Sequence, residues 1–182
     1  SASVFHIKQS NLAQQTSEPV PGTNPPEPAY RAVDGATSKG FEVEVAGQVT
    51  PSWQVAAGYT LFRAKDAGGA DVNSLYPRQL LRVFTTYRLP GTWRGLIIGG
   101  GVNWQGKTYT YAQNPLGVVE KVEQDGYPLA SLMARYEFSR QLTGQININN
   151  IFDKRYYDMF AAYSQFTYGA PRNVTVSLKY KF

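Results

Sequence analysis

The sequence predicts an all-β fold, a transmembrane antiparallel β-barrel, and three observations carry the prediction. Apolar and polar residues alternate along most of the chain, out to Val174, Val176, Leu178, Tyr180 and Phe182. Strict period two gives a strand one apolar and one polar face. Midspan charges fall on a single parity, and short turns alternate with long connections. An alternation that stays intact to an aromatic last residue is how outer-membrane barrels end, so the final strand is expected to be a barrel strand.

Strands are expected near 1–8, 30–49, 53–66, 77–89, 95–111, 127–138, 142–151 and 168–182. Phe41, Val43, Val45 and Val49 alternate with Glu42, Glu44 and Gln48, which turns the carboxylates away from lipid. Trp53, Val55, Ala57, Tyr59 and Leu61 continue the apolar face after a turn. Leu81, Val83, Thr85, Tyr87 and Leu89 oppose Arg82, Thr86 and Arg88. Leu96, Ile98, Gly100, Val102 and Trp104 point outward, with Asn103, Gln105 and Lys107 inside. Ala130, Leu132, Ala134, Tyr136 and Phe138 oppose Ser131, Arg135 and Glu137; Leu142, Ile146 and Ile148 oppose Gln145, Asn147 and Asn149. In the first strand His6 is expected inward, beside Val4 and Lys8.

Energetics explains the regularity: Arg or Lys on the lipid face at midplane costs ~2–4 kcal/mol, whereas a wet lumen accepts it. A one-residue slip would bring every charge to the lipid face. A soluble barrel or sandwich with polarity inverted has the same alternation, so the connections must decide. Turns at Thr50, Pro51 and Ser52, at 90–94 and at 139–141 are short; segments near 9–29, 67–76, 112–126 and 152–167 are long. Short turns at one rim and long loops at the other describe an outer-membrane barrel, periplasm on the short side. Trp53, Tyr87, Trp93, Tyr136, Phe138, Tyr180 and Phe182 gather beside the short turns, where an aromatic girdle belongs.

Composition is compatible with this. Hydrophobic residues make up 42% of the 182, and the mean hydropathy of -0.36 suits a wall that shows lipid only half of each strand. No run approaches the ~18–20 apolar residues of a membrane-spanning helix. The first residues lack a basic region and a cleavage site, so any export signal is expected to be removed or upstream. The 13 Tyr, 9 Phe and 3 Trp suit girdles and binding surfaces alike. Absence of Cys excludes disulfides, thiolate metal sites and a Cys nucleophile. The net charge of +5 comes without a clustered basic run, which argues against a nucleic-acid partner. The first long loop carries Pro19, Pro21, Pro25, Pro26 and Pro28, and is expected to be irregular or polyproline-like.

The stretch from Asn147 through Asn150, Ile151, Phe152, Asp153 and Lys154 to Tyr156 and Tyr157, followed by Tyr168, Gly169, Pro171 and Arg172, closely resembles the end of TonB-dependent outer-membrane receptors. The similarity is greatest to the ferric-siderophore branch that includes hydroxamate, coprogen and pyoverdine receptors. Residues 38–44, 53–60 and 100–106 extend the resemblance across essentially the whole chain. Read physically, Asn149, Asn150 and Asp153 hydrogen-bond turn backbone, and Pro171 restricts entry to the last strand.

What the resemblance implies is larger than this chain: a 22-stranded barrel whose last eight strands lie here, residues 1–182 forming the C-terminal portion, with the plug domain elsewhere. It implies TonB-dependent uptake of a ferric siderophore across the bacterial outer membrane, energised by the TonB-ExbB-ExbD system through the plug. Iron would arrive as the ferric siderophore, with no cofactor held by the protein. Outer-membrane lipid and lipopolysaccharide would surround the wall. A bulky chelate calls for aromatic and polar side chains near the upper lumen. Parity points Phe62, Arg82, Tyr109 and Tyr111 inward there, and the last loop offers Tyr157, Phe160, Tyr163 and Phe166.

Two other readings compete. A self-contained eight-stranded barrel with a structural or adhesion role would bury Glu42, Glu44, Arg82, Arg88, Arg135 and Glu137 as a charge network. A membrane-embedded hydrolase would need a nucleophile for His6, and no nucleophile motif accompanies it. Gly99, Gly100 and Gly101 do not make a dinucleotide fingerprint, because position 104 is Trp.

Overall fold

The computed structural model describes residues 1–182 apart from Pro25, Asn73, Pro115, Tyr163 and Ser164; at 12, 14–19, 33, 159–162 and 165 only the backbone is described. The strands are β1 (Ala2–Lys8), β2 (Leu12–Pro19), β3 (Pro28–Val33), β4 (Thr37–Thr50), β5 (Trp53–Lys65), β6 (Gln79–Arg88), β7 (Leu96–Gln105), β8 (Thr108–Gln113), β9 (Val119–Gln124), β10 (Tyr127–Glu137), β11 (Leu142–Asn149), β12 (Tyr157–Ala162), β13 (Gln165–Tyr168) and β14 (Asn173–Tyr180). A single 3-10 turn, Gly91–Trp93, joins β6 to β7.

Eight of these form one antiparallel sheet in the order β1-β4-β5-β6-β7-β10-β11-β14. The order follows the chain once the hairpins β2-β3, β8-β9 and β12-β13 are set aside, each a separate two-stranded sheet. All three hairpins rise from the long-connection end. The sheet ends on β1 at one side and β14 at the other, so a closed eight-stranded barrel is not what these strands build.

Register bears out the expected faces. One apolar row reads Val45, Ala57, Val83, Val102, Ala130 across β4 to β10; another reads Trp53, Tyr87, Ile98, Ala134, Ile146, Val176 across β5 to β14. The alternate rows are polar, such as Glu44, Gly58, Arg82, Asn103 and Gln48, Gln54, Thr86, Gly99. The apolar rows lie open: Val45 is 63% exposed, Leu132 51% and Val176 68%. A contiguous apolar face of this extent needs a non-aqueous cover, and a bilayer supplies it.

Gly101 shows why this wall needs glycine. A Cβ there would sit 2.5 Å from the Val83 carbonyl oxygen and 2.7 Å from Phe84 Cδ2. The Phe84 ring lies across the strand backbone in the space that a side chain would take. At the short-turn end the girdle is explicit: Tyr136 and Phe138 pack edge to face at 5.0 Å, Tyr180 and Phe182 at 5.1 Å. Trp53 Nε1 donates to Thr85 Oγ1 at 2.7 Å.

Five expectations need correction. The 9–29 loop is not irregular throughout: β2 and β3 pair, with Leu12 opposite Val33, and Pro19 opposite Pro28 as the last pair before the tip that holds Pro21 and Pro26. The expected strand 30–49 breaks between Val33 and Thr37, and 95–111 breaks at Gly106 and Lys107, so its upper half leaves the wall as β8. The last strand begins at Asn173, and Tyr168 belongs to β13. His6 faces outward, opposite Lys39, while Phe5 takes the inward position opposite Gly40.

Candidate ligand-binding site

Phe62, Tyr109, Tyr111, Tyr157 and Phe166 fall in three groups at the extracellular end, and Arg82 stands lower on the wall. Gly40 on β4 creates the first: a Cβ there would meet Phe62 Cβ at 2.5 Å and Phe5 Cζ at 2.7 Å, so absence of a side chain lets two rings cover the strand from either side. Phe62 faces inward as expected and carries the Arg78 guanidinium 5.0 Å above its ring, a cation-π arrangement. Arg78 also donates to the Val72 carbonyl, which fixes the guanidinium between ring and loop. Arg82 lies exposed on the same inner face, in the row with Glu44 and Asn103.

The second group is the β8-β9 hairpin. Tyr109 stands opposite Glu123 and Tyr111 opposite Lys121, so the four side chains share one face. Tyr109 and Tyr111 meet edge to face at 6.2 Å. Lys121 Nζ sits 4.4 Å from the Tyr109 ring centre, and the Tyr109 hydroxyl donates to Asp71 Oδ2 at 3.1 Å. Partial burial and that hydrogen bond raise the Tyr109 hydroxyl pKa. Glu123 is bridged by Lys107 and Lys121. Hydrogen bonds from Lys107 and then Lys121 hold its carboxyl below the ordinary range, and the same contact raises Lys121. Because β8 departs from the wall at Gly106, Tyr109 and Tyr111 belong to a loop face rather than to the lumen wall that parity alone assigned them; Tyr111 is 65% exposed.

The third group is the β12-β13 hairpin. Tyr157 stacks on Tyr168 at 5.0 Å and packs on Phe166 at 5.5 Å. Hydrogen bonding to Tyr168 raises the Tyr157 hydroxyl pKa. The Phe160 side chain and all of Tyr163 lie outside the described residues. The base of this hairpin is a hydrogen-bonded knot. Asn150, 6% exposed with φ of 49°, donates through Nδ2 to the Lys154 and Ala170 carbonyls and accepts from the Lys154 N–H. Asp153, with φ of 52°, accepts from the Arg172 N–H at 2.8 Å. Tyr156 lies on Gly169 and packs against Tyr127 at 4.9 Å. Asn150 and Asp153 thus hydrogen-bond turn backbone as expected, whereas the Asn149 amide donates to the Asn173 side chain on β14 at 3.0 Å.

Arg78, Lys121 and Asp71 join the groups with no motif or parity signal of their own, and Tyr168, part of the motif, joins them through its stacking on Tyr157. Phe5 had a signal, its parity; the others depend on contacts between segments remote in sequence. Among the described residues no group of three or more His, Asp or Glu side chains gathers to hold a metal ion. What the arrangement offers is aromatic surface with fixed cations and hydroxyls, suited to a bulky polar chelate.

Residues 1–151 match the family described as TonB dependent receptor-like, beta-barrel. The chain is 45% identical over 181 residues to the ferric-pyoverdine 358 receptor of Pseudomonas putida, covering 98% of this chain and 21% of the relative. It is 36% identical over 187 residues to the ferripyoverdine receptor of Pseudomonas aeruginosa, covering 100% of this chain and 23% of that receptor. The crystal structure of the Pseudomonas aeruginosa outer-membrane ferripyoverdine receptor bound to ferripyoverdine superposes with a TM-score of 0.89 at 35% identity, across 100% of this chain and 25% of that one. The chain therefore spans roughly a fifth to a quarter of the length of these relatives.

Proposed function

Because the chain belongs to the TonB-dependent receptor β-barrel family, a family of outer-membrane receptors rather than enzymes, we propose that residues 1–182 form the C-terminal portion, eight strands of a 22-stranded wall, of a receptor that imports a ferric siderophore. The observation that carries this reading is likeness along the whole chain to ferric-pyoverdine receptors, 45% identical in one case. Energy would come from the TonB-ExbB-ExbD system acting through a plug domain. Outer-membrane lipid and lipopolysaccharide would bathe the apolar face.

Within that receptor the inward and loop aromatics bind the chelate. Phe62 with Arg78 offers a cation-backed ring at the rim. Tyr109, Tyr111 and Lys121 offer a second, and Tyr157 and Phe166 a third, with Phe160 and Tyr163 in the same loop and Arg82 lower on the inner face. Fixed rings bind a chelate at small entropic cost, since they lose little freedom on binding. Iron stays inside the siderophore, and the protein supplies no metal ligand.

The test is binding of radioactive iron to the purified complete receptor, presented as a panel of hydroxamate, catecholate and mixed peptide siderophores. Saturable binding of one ferric chelate class, competed by the same unlabelled ferric chelate and weakened by alanine at Tyr109, Tyr111 and Tyr157, supports the proposal. Binding of none of them, or binding untouched by all three substitutions together, refutes the reading or the site respectively.

A further inference from the structure

On the outer face, at the extracellular end, three cationic or titratable residues stand side by side on adjacent strands: His6 on β1 is the register partner of Lys39 on β4, which is the partner of Arg63 on β5. The row below on the same face is Val4, Phe41, Leu61; the row above is Lys8, Thr37, Lys65. Strands lie ~4.8 Å apart and same-face residues ~7 Å apart along a strand, so the basic side chains fit within one lipid headgroup's reach.

Two features make this more than a basic surface. Like charges directly opposite each other in a ladder destabilise it, yet Lys39 and Arg63 are exposed and, among the described residues, neither forms an ion pair. The nearby carboxylates do not relieve them. Glu42 and Glu44 alternate to the opposite face, Asp34 pairs with Lys8 at 3.7 Å, and Asp71 accepts from Tyr109. Moreover, the row sits at the upper edge of the apolar band, just past Phe41 and Tyr59, whose rings meet at 5.9 Å. That is the depth of the outer-leaflet headgroups if the apolar face meets a bilayer.

We propose that Lys39 and Arg63, flanked by His6, Lys8 and Lys65, form a binding site on the outer wall for the phosphorylated headgroup of an outer-leaflet lipid. A phosphate between the two cations converts cross-strand repulsion into a bridge, with Arg63 able to engage it bidentately. The apolar rows beneath receive the acyl chains. The inference rests on the membrane orientation of this face and is independent of which siderophore the receptor carries.

The complete receptor is purified in mild detergent and exposed to nanodiscs containing bisphosphorylated lipid A, dephosphorylated lipid A, or neither, and bound lipid is counted by native mass spectrometry. Selective retention of the phosphorylated lipid is expected, reduced roughly thirtyfold in affinity by K39Q/R63Q if each cation contributes ~1 kcal/mol. Equal retention of the dephosphorylated lipid, unchanged retention by the variant, or displacement by millimolar inorganic phosphate would overturn the site. Thermal midpoints give a second reading that survives poor assembly of the double variant. Arg63→Gln should raise the midpoint in lipid-free detergent and lower it with bisphosphorylated lipid A; the same sign in both overturns the proposal. Ferric-siderophore uptake by the same strains separates the two claims. No uptake by the unaltered receptor refutes transport alone, and unchanged lipid retention with intact uptake refutes the lipid site alone.

Discussion

Gln124 at the end of β9 and Tyr157 at the start of β12 exchange two hydrogen bonds: the Tyr157 N–H donates to Gln124 Oε1 at 2.6 Å, and Gln124 Nε2 donates to the Tyr157 carbonyl at 3.1 Å. The side-chain amide thus pairs with the backbone much as a neighbouring strand would. It joins two extracellular hairpins that otherwise belong to separate sheets. Replacing Gln124 by Leu should remove both hydrogen bonds at a cost of ~1–3 kcal/mol. Faster hydrogen exchange across 157–168 and weaker siderophore binding are expected, with the main wall unaffected. Gln124→Glu keeps the acceptor, places a carboxylate beside the Tyr157 carbonyl, and should weaken binding too.

Asn150 is the second point of leverage. Its amide makes three hydrogen bonds while its own backbone holds a φ of 49°. Asn tolerates that conformation better than most residues. Asn150→Ala should cost ~2–4 kcal/mol through unsatisfied, part-buried carbonyls and backbone strain. Gly removes the strain but not the lost bonds, so Asn150→Gly should fall between Ala and the native residue in thermal unfolding of the assembled barrel.

The facing of the wall is testable at adjacent positions. Val102 belongs to the apolar row and Asn103 to the polar one. Val102→Arg should destabilise the folded barrel in lipid by ~2–4 kcal/mol, whereas Asn103→Arg should change it by less than ~1 kcal/mol. Denaturant unfolding in bilayers of defined thickness measures both.

The Glu123 cluster sets a pH window for the β8-β9 hairpin. Its folded carboxyl lies below the ordinary value, so the cluster contributes stability above the unfolded pKa of ~4.3 that is lost as pH falls through the folded value. Lys121 is raised, so its contribution holds below ~10.4 and is lost as pH rises through the raised value. Hydrogen-exchange protection of β8 and β9, corrected for intrinsic rates, should therefore be flat across neutral pH and fall at acid pH. Glu123→Gln should lower the plateau and remove the acid step.

Much of the wall was legible because physics repeats in it. Val43 beside Glu42 and Glu44, or Val102 beside Asn103, already states which face meets lipid, and the register preserves that parity across the wall up to the shift at Thr50 beside the β4–β5 turn. Legibility ended where the chain left the wall. Nothing local at Gly106 and Lys107 distinguishes a bend from a continuing strand, so Tyr109 and Tyr111 were assigned to the lumen instead of a hairpin. The polarity of His6 does not fix its face; its register partner Lys39 does. The bond between Gln124 and Tyr157 joins residues 33 apart, each unremarkable in its own segment. Asn150 was recognised as a turn residue, although its contact with Ala170 across 20 positions was not readable.

Import is decided by cellular accumulation of radioactive iron supplied as a panel of ferric siderophores, in a strain whose other ferric-siderophore receptors are deleted, with TonB present or absent. Accumulation should require both this receptor and TonB, and should fall when Tyr109, Tyr111 and Tyr157 are replaced together by alanine. Accumulation independent of TonB, or none with any ferric siderophore while the barrel is assembled in the outer membrane, would contradict it.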